Sequence, residues 1–356
     1  MYGRNTIGGF VRMAVCLAVA AMVGISAAGI SHGAHVPELS KYLDRAQIAE
    51  PIVYRQLAVY PILLRGDAGL RGGWLTLDRA VARGVLVVSE KGGGGSVPAV
   101  IVENRSRKDH VFIMTGEVIS GGKQTRTVRQ DVVLAPGQRV ELSVFCVEAH
   151  RWQGGEKFSA AGALLPQSIQ KELRKGADQS RLWSEVARNN QALKAENATG
   201  SLELALKSAP VRKKLAEVQR SILPGVPQGT VGFIFVDGRR ALGADFFGRE
   251  GIARELLPKL LDSYAVDVVL QRAPASHVLP KGEHRAAIDF FERIRRADSQ
   301  RTSTPGSGAG IRTRSGSLLG DGVSLSDAVV HYGVQIRERV VPQPVPKPHF
   351  ERQQRR

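Results

Sequence analysis

Two polar clusters interrupt an otherwise apolar, β-like stretch of this chain. The first runs Gly116-Glu117-Val118-Ile119-Ser120-Gly121-Gly122-Lys123-Gln124-Thr125-Arg126, and the second runs Cys146-Val147-Glu148-Ala149-His150-Arg151-Trp152. Glu117 and Glu148 have the chemistry of a general acid/base pair. Glycosidic cleavage by such a pair needs carboxyls about 5–10 Å apart, one with a raised pKa. The reading favoured for isolated Glu/Arg pairs is structural, each glutamate in an ion pair with Arg126 or Arg151. Lys123, Gln124 and Arg126 follow a Gly-Gly step and suit a phosphate or carboxylate, the arginine fork giving bidentate contact. The alternative is a tight glycine turn with exposed charges. On a strand, Gln124 and Arg126 share one face and Lys123 takes the other.

Cys146 shares a face with Glu148. As a nucleophile it would need a nearby base, for which His150 and His110 are the candidates. As a small buried residue in a strand it needs none. Arg151 and Trp152 could stack on a ligand or form a wall of the core. Gln179 reaches these clusters if its helix covers the β region. The histidines are scattered without ligand spacing, so no metal site is expected. Gly92-Gly93-Gly94-Gly95 lacks the Gly-Lys-Ser/Thr ending of a phosphate loop, and no other cofactor fingerprint is present.

The elements that must position these residues are short. Pro37 to Glu50 reads as a helix and Ile52 to Leu64 as a strand. Val85–Val88, Val97–Val102, Val111–Met114, Thr127–Leu134 and Val140–Val147 are short β-rich runs separated by turn residues. Their spacing predicts an antiparallel sandwich or open barrel over residues 51–150. Residues 160–223 read as helical, with Asp178 capping one helix and Ser208-Pro210 opening another. Asp237-Gly238 marks a β-hairpin within a hairpin-and-helix segment, 229–297, where Pro258 should kink or restart a helix. The fold class expected is α+β, a single domain over 34–297. Residues 298–356 are rich in Ser, Gly, Thr and Pro and carry nine basic against five acidic residues. They read as a mostly disordered basic tail, in which Val323 to Val341 could form one short helix or strand.

Residues 1–33 read as a cleaved secretory signal peptide, with Arg4 and Arg12 before an uncharged Ala/Gly-rich run. The alternative is an uncleaved membrane anchor; no further span follows. Loss of these residues, with two arginines and no acids, lowers the formal charge from +17 to +15 and leaves Cys146 as the sole cysteine, so no intramolecular disulfide forms. The charge favours an envelope polyanion or an anionic small molecule as partner, although an arginine-preferring composition would give the same charge. No nucleic-acid-binding motif is visible. The expected location is periplasmic or secreted.

The motifs, taken together in order, resemble the ADP-ribosylglycohydrolase and rhodanese-phosphatase-superfamily-associated protein domain family. The pieces are Ser96-Val97-Pro98, Val102-Glu103-Asn104, Gly116-Glu117, Gly122 to Arg126, Val144 to Trp152, Asp178-Gln179 with Trp183, Gly229 to Phe247, and Leu260 to Ala265. The resemblance spans roughly residues 50 to 270. The family name records genomic company, and it implies a link to ADP-ribose or NAD-derived metabolites. Two functions are therefore compatible with the sequence. One is an exported binding domain that grips a phosphate- or sugar-containing anion through Lys123, Gln124, Arg126, Arg151, Trp152 and Gln179. The other is a hydrolase on a nucleotide- or ADP-ribose-like substrate, using Glu117 and Glu148 as acid and base.

Overall fold

The computed structural model describes residues 36–92, 98–238, 240–271 and 284–337. The expected signal peptide, part of the glycine run and the end of the expected tail lie outside these residues. The described chain is α+β, as its patterning implied. In chain order the elements are α1 (Pro37–Arg45), β1 (Ala46–Ile48), β2 (Ile52–Tyr54), β3 (Leu57–Leu64), β4 (Gly73–Thr76), α2 (Leu77–Ala82), β5 (Leu86–Glu90), β6 (Ala99–Asn104), β7 (Asp109–Ile113), β8 (Glu117–Gly121), β9 (Arg126–Val128), β10 (Val132–Leu134), β11 (Arg139–Cys146) and β12 (Lys157–Leu164). Then come α3 (Gln167–Lys175), α4 (Gln179–Ala192), α5 (Leu202–Lys207), α6 (Ala209–Ile222), β13 (Thr230–Asp237), β14 (Arg240–Phe247), α7 (Glu250–Ala265), a π-helical turn (Val266–Leu270), α8 (Arg285–Arg295), β15 (Ser299–Thr302), β16 (Ala309–Ser315), β17 (Leu318–Leu325) and β18 (Ala328–Ile336).

Six strands close into a barrel in the order β11-β6-β5-β12-β8-β9, with β9 returning to β11. Its interior holds Val88, Val100, Val102, Ile119, Val128, Leu142 and Val144. A small sheet, β10-β7-β4, lies outside the barrel order and contains a parallel pair, β4 with β7. The other strands form a nine-stranded antiparallel sheet, β1-β3-β13-β14-β18-β17-β16-β15, with β2 on β3. β13 shows why this sheet sits at the centre. Phe233 and Phe235 join the core cluster that holds Leu256, Leu260 and Tyr264 of α7. The intervening Ile234 and Val236 join the cluster of Tyr42 from α1 and Phe290 from α8. Alternation thus feeds two cores from one strand. Each large apolar side chain buried this way contributes about 1.5–3 kcal/mol.

Two expectations are corrected and one is narrowed. Residues 299–336 are not a disordered tail: they form β15 to β18, four strands of the nine-stranded sheet. Their glycines serve close strand approach. A Cβ at Gly322 would lie 2.3 Å from the His331 carbonyl oxygen, and one at Gly320 would lie 2.6 Å from the Tyr332 hydroxyl. The helical reading of residues 160–223 begins too early, because Lys157–Leu164 is a strand that closes the barrel wall between β5 and β8. Its small residues (Ser159-Ala160-Ala161-Gly162-Ala163) carry little strand signature. Of the two readings at Pro258, the restart does not occur: α7 runs through it from Glu250 to Ala265 as one helix. The Asp178 cap does form, its side chain accepting from the Arg181 N–H. None of the described helices is long and apolar enough to cross a membrane.

Candidate functional site

The two polar clusters meet at the barrel. Arg126 opens β9 and Cys146 ends β11, and the two are paired across the strands. Arg126 is 0 % exposed, the largest of the fully buried side chains. Its Nη1–H donates to Cys146 Sγ, and its Nη2 lies 3.4 Å from Glu90 Oε1. Glu90, from β5, also accepts from the Lys123 backbone N–H at 2.8 Å. The Trp152 ring lies 5.6 Å from the Arg126 guanidinium carbon and closes over it. It is therefore Arg126, not Arg151, that stacks with Trp152.

Glu148 is buried and accepts from the Thr125 N–H (3.0 Å), the Thr125 hydroxyl (3.1 Å) and Arg151 Nε (2.9 Å). Burial favours its protonated form. The Arg151 fork and the Thr125 N–H outweigh burial and hold its pKa below the usual carboxylate range. Arg151 also donates to the carbonyls of Gly121, Gly122 and Gln153. Its five N–H groups are thus largely committed to the fold. Gln124 is buried with its amide toward the Ala149 carbonyl at 3.4 Å. Gln179, at the start of α4, acts as a substitute strand neighbour. It accepts from the Cys146 N–H and donates to the Cys146 carbonyl, both at 2.8 Å. Neither His150, which is exposed, nor His110, which stacks on Trp74 at 4.8 Å, is bonded to Cys146. Burial raises the Cys146 pKa, and Arg126 offsets this only in part.

Glu117 belongs to a different network. Its Oε1 takes a short bond from Lys259 of α7, and its Oε2 accepts from the Met114 N–H at 2.8 Å. Lys259 also contacts Asp78 of α2 at 2.7 Å. Burial raises the Glu117 pKa, the Asp78 charge adds to this, and Lys259 opposes it. For Lys259 the order reverses. Burial lowers its pKa, and the two carboxylates more than restore it, so the ammonium stays charged. Glu117 and Glu148 thus share no partner among the described residues, and each is tied to its own cation. A carboxylate pair flanking a substrate would need both to face open space.

A third buried cluster ties the barrel-side chain to the central sheet. His331 of β18 is 0 % exposed; its Nδ1 lies 2.6 Å from Asp131 Oδ2 and its Nε2 lies 3.2 Å from Asp245 Oδ1. Burial lowers the His331 pKa, but the two carboxylates outweigh it and push the value up to about 9. The Phe247 ring packs on the imidazole at 4.7 Å.

Open space lies elsewhere. A cleft of about 800 Å³ is lined by β12, α5, α6 and the end of α7. Its volume is that of a small-molecule site. The β12 wall is small and apolar (Ala161, Gly162, Ala163, Leu164) and sits where the β8–β12 register slips, a place where bulges often adjoin sites. Leu206, Leu215 and Val266 add apolar surface, and Lys207, Arg212 and Lys213 line the same cleft. Lys207 is paired with Glu203. Arg212 and Lys213 are exposed and in no ion pair among the described residues. Asp262 of α7 also lines the cleft, its Oδ1 accepting from Gln219 Nε2 at 2.7 Å. Burial raises its pKa to about 6, opposed by that one hydrogen bond. A perturbed carboxyl in an open cleft is a functional-site signature.

Sequence reasoning did not single out Asp262, Lys259, Glu90 or His331. A signal was present for the first two. They are charged residues in the otherwise apolar second half of α7, which buries Leu256, Leu257, Leu260, Leu261, Tyr264 and Ala265 around them. Among the described residues no group of His, Cys, Asp and Glu is arranged to hold a metal ion.

No curated protein and no solved structure matches the chain. The barrel lattice, the His331 cluster and the cleft are all built from residues between Asp78 and His331, so one continuous span carries everything described above. A family sequence profile covers that span, matching residues 45–334, and it places the chain in the ARG and rhodanese-phosphatase-superfamily-associated protein domain family.

Proposed function

We propose that this domain binds a small anion with an apolar part, in the cleft between β12, α5, α6 and α7. The observation that carries this reading is the pairing of two uncommitted cations, Arg212 and Lys213, with an apolar floor in one open space. The charged groups of the barrel support such a ligand less well, because Arg126, Arg151, Glu117 and Glu148 each already hold a protein partner. For the same reason the hydrolase reading built on Glu117 and Glu148 has little support. The composition of residues 1–33 supports placing the binding activity outside the cytoplasm.

The test is calorimetric titration with hexanesulfonate, which carries a permanent charge and a short apolar tail. Saturable binding is expected, with sulfate alone much weaker. The double variant Arg212→Ala/Lys213→Ala should weaken binding at least about tenfold, or about 1.4 kcal/mol. Its thermal midpoint should stay unchanged, since both side chains are exposed. Hexanesulfonate binding that ignores this double substitution would sink the proposal.

A further inference from the structure

We infer that Asp262 couples occupancy of this cleft to proton uptake, so that the anion binds tightly only when the Asp262 carboxyl is protonated. The inference rests on the cleft being the binding site. Asp262 and the cations stand in the same space, yet Asp262 forms no ion pair among the described residues; its side-chain partner is the neutral amide of Gln219. An anion drawn in by Arg212 and Lys213 would therefore share the cleft with a carboxylate, and two like charges in one site drive one of them to take a proton.

The charged groups around Asp262 do not cancel this effect. On α5, Lys207 is held by Glu203 at 2.5 Å. On α7, Lys259 is one turn away and held by Glu117 and Asp78. β12 contributes no titratable side chain to the cleft. In the π-helical turn, Asp267 accepts from the Ser168 N–H and hydroxyl. Arg212 and Lys213 of α6 remain to attract the ligand. The carboxyl titrates near 6, so the switch falls within a physiological pH range. By reciprocity, a bound anion raises the proton affinity of Asp262 as much as a bound proton raises the affinity for the anion.

The experiment is titration with hexanesulfonate from pH 5 to 8, in buffers of differing ionisation enthalpy. The ligand itself does not titrate in this range, so any slope belongs to the protein. The expected result is a Kd that rises up to about tenfold per pH unit above pH 6, with up to one proton taken up per ligand bound. Asp262→Asn should bind at every pH as the wild type binds at pH 5. Gln219→Leu, which removes the donor favouring the ionised form, should move the slope to higher pH. A wild-type Kd equal at pH 5 and pH 8, or an Asp262→Asn variant that keeps the slope, would overturn the coupling while leaving the cleft as a binding site. Absence of saturable binding by wild type and Asp262→Asn at every pH would overturn both.

Discussion

In the barrel, Arg126 is 0 % exposed and lies against Glu90 and Cys146, and Arg151 holds Glu148; beside it, in a separate network, Lys259 of α7 holds both Glu117 and Asp78. In the cleft between β12 and α6, Arg212 and Lys213 are exposed and Asp262 has only an amide for a partner. Both regions concentrate charge, but the environment differs. Charges inside a barrel are stable only when paired and hydrogen-bonded, so their presence there indicates a network. The exposed cations of the cleft, Arg212 and Lys213, remain solvated and keep their capacity for a ligand. Charge density alone therefore does not mark a site; charge without a committed partner does.

The largest effect should come from unbalancing the Glu117–Lys259–Asp78 network. Lys259→Met leaves Glu117 and Asp78 without their shared cation, and unfolding in urea should show a loss of about 3–5 kcal/mol. Adding Glu117→Gln should recover part of that loss, because an amide needs no counter-charge. A loss below about 1 kcal/mol for Lys259→Met would mean that the network does not hold these elements together.

His331 tests the same principle through pH. Its folded-state pKa, about 9, lies above the ordinary value of 6.5. The stability it contributes is therefore fully present below pH 6.5 and is lost as pH rises through 9. Unfolding free energies measured from pH 6 to 9.5 should fall with a slope that approaches about 1.4 kcal/mol per pH unit. His331→Gln should be less stable than the wild type at pH 6 and show a flatter profile over that range. An unchanged profile in the variant would assign the pH dependence to other groups.

These clusters also show what a sequence can carry. Glu117, Arg126, Glu148 and Arg151 stand out because they lie close together in a β-like stretch, and Glu148 and Arg151 are three residues apart, within reach of each other. Their other partners are remote: Glu90 lies 36 residues from Arg126, and Lys259 lies 142 residues from Glu117. Local spacing cannot report such pairings, which exist only after the barrel closes and α7 docks. The cleft was hidden for the same reason, since its lining is divided among β12, α5, α6, α7 and the π-helical turn. The hairpin was readable to within one residue, Asp237 pairing with Arg240 at the end of β13, and so was the Asp178 cap, because their hydrogen bonds are local. Strands β15 to β17 were not, because glycines needed for tight strand packing resemble those of a flexible tail; for β18 the sequence left helix and strand both open.

Asp262→Asn should act in the opposite sense to Lys259→Met. The folded-state pKa of Asp262, about 6, lies above its ordinary value of 3.8, so its favourable contribution is present below pH 3.8 and is lost as pH rises through 6. At pH 7.5 the ionised carboxyl destabilises the fold, and the amide removes that cost. Stability should rise by about 1–2 kcal/mol at pH 7.5, and the gain should shrink toward zero as pH is lowered to 4. A destabilised variant at pH 7.5 would show that Asp262 holds the fold together as Glu117 does.

Trp152 gives the smallest effect and the sharpest separation of the two regions. It is 46 % exposed, which by itself would suit a ligand platform, yet its ring covers the Arg126 guanidinium. If it serves the barrel network, Trp152→Ala loses one cation–π contact and should cost about 0.5–1 kcal/mol in urea unfolding. Hexanesulfonate affinity should not change, because Trp152 does not line the cleft. A stable Trp152→Ala variant with weakened binding would reverse the assignment and return the ligand to the barrel, with Arg126 exposed by the loss of its cover.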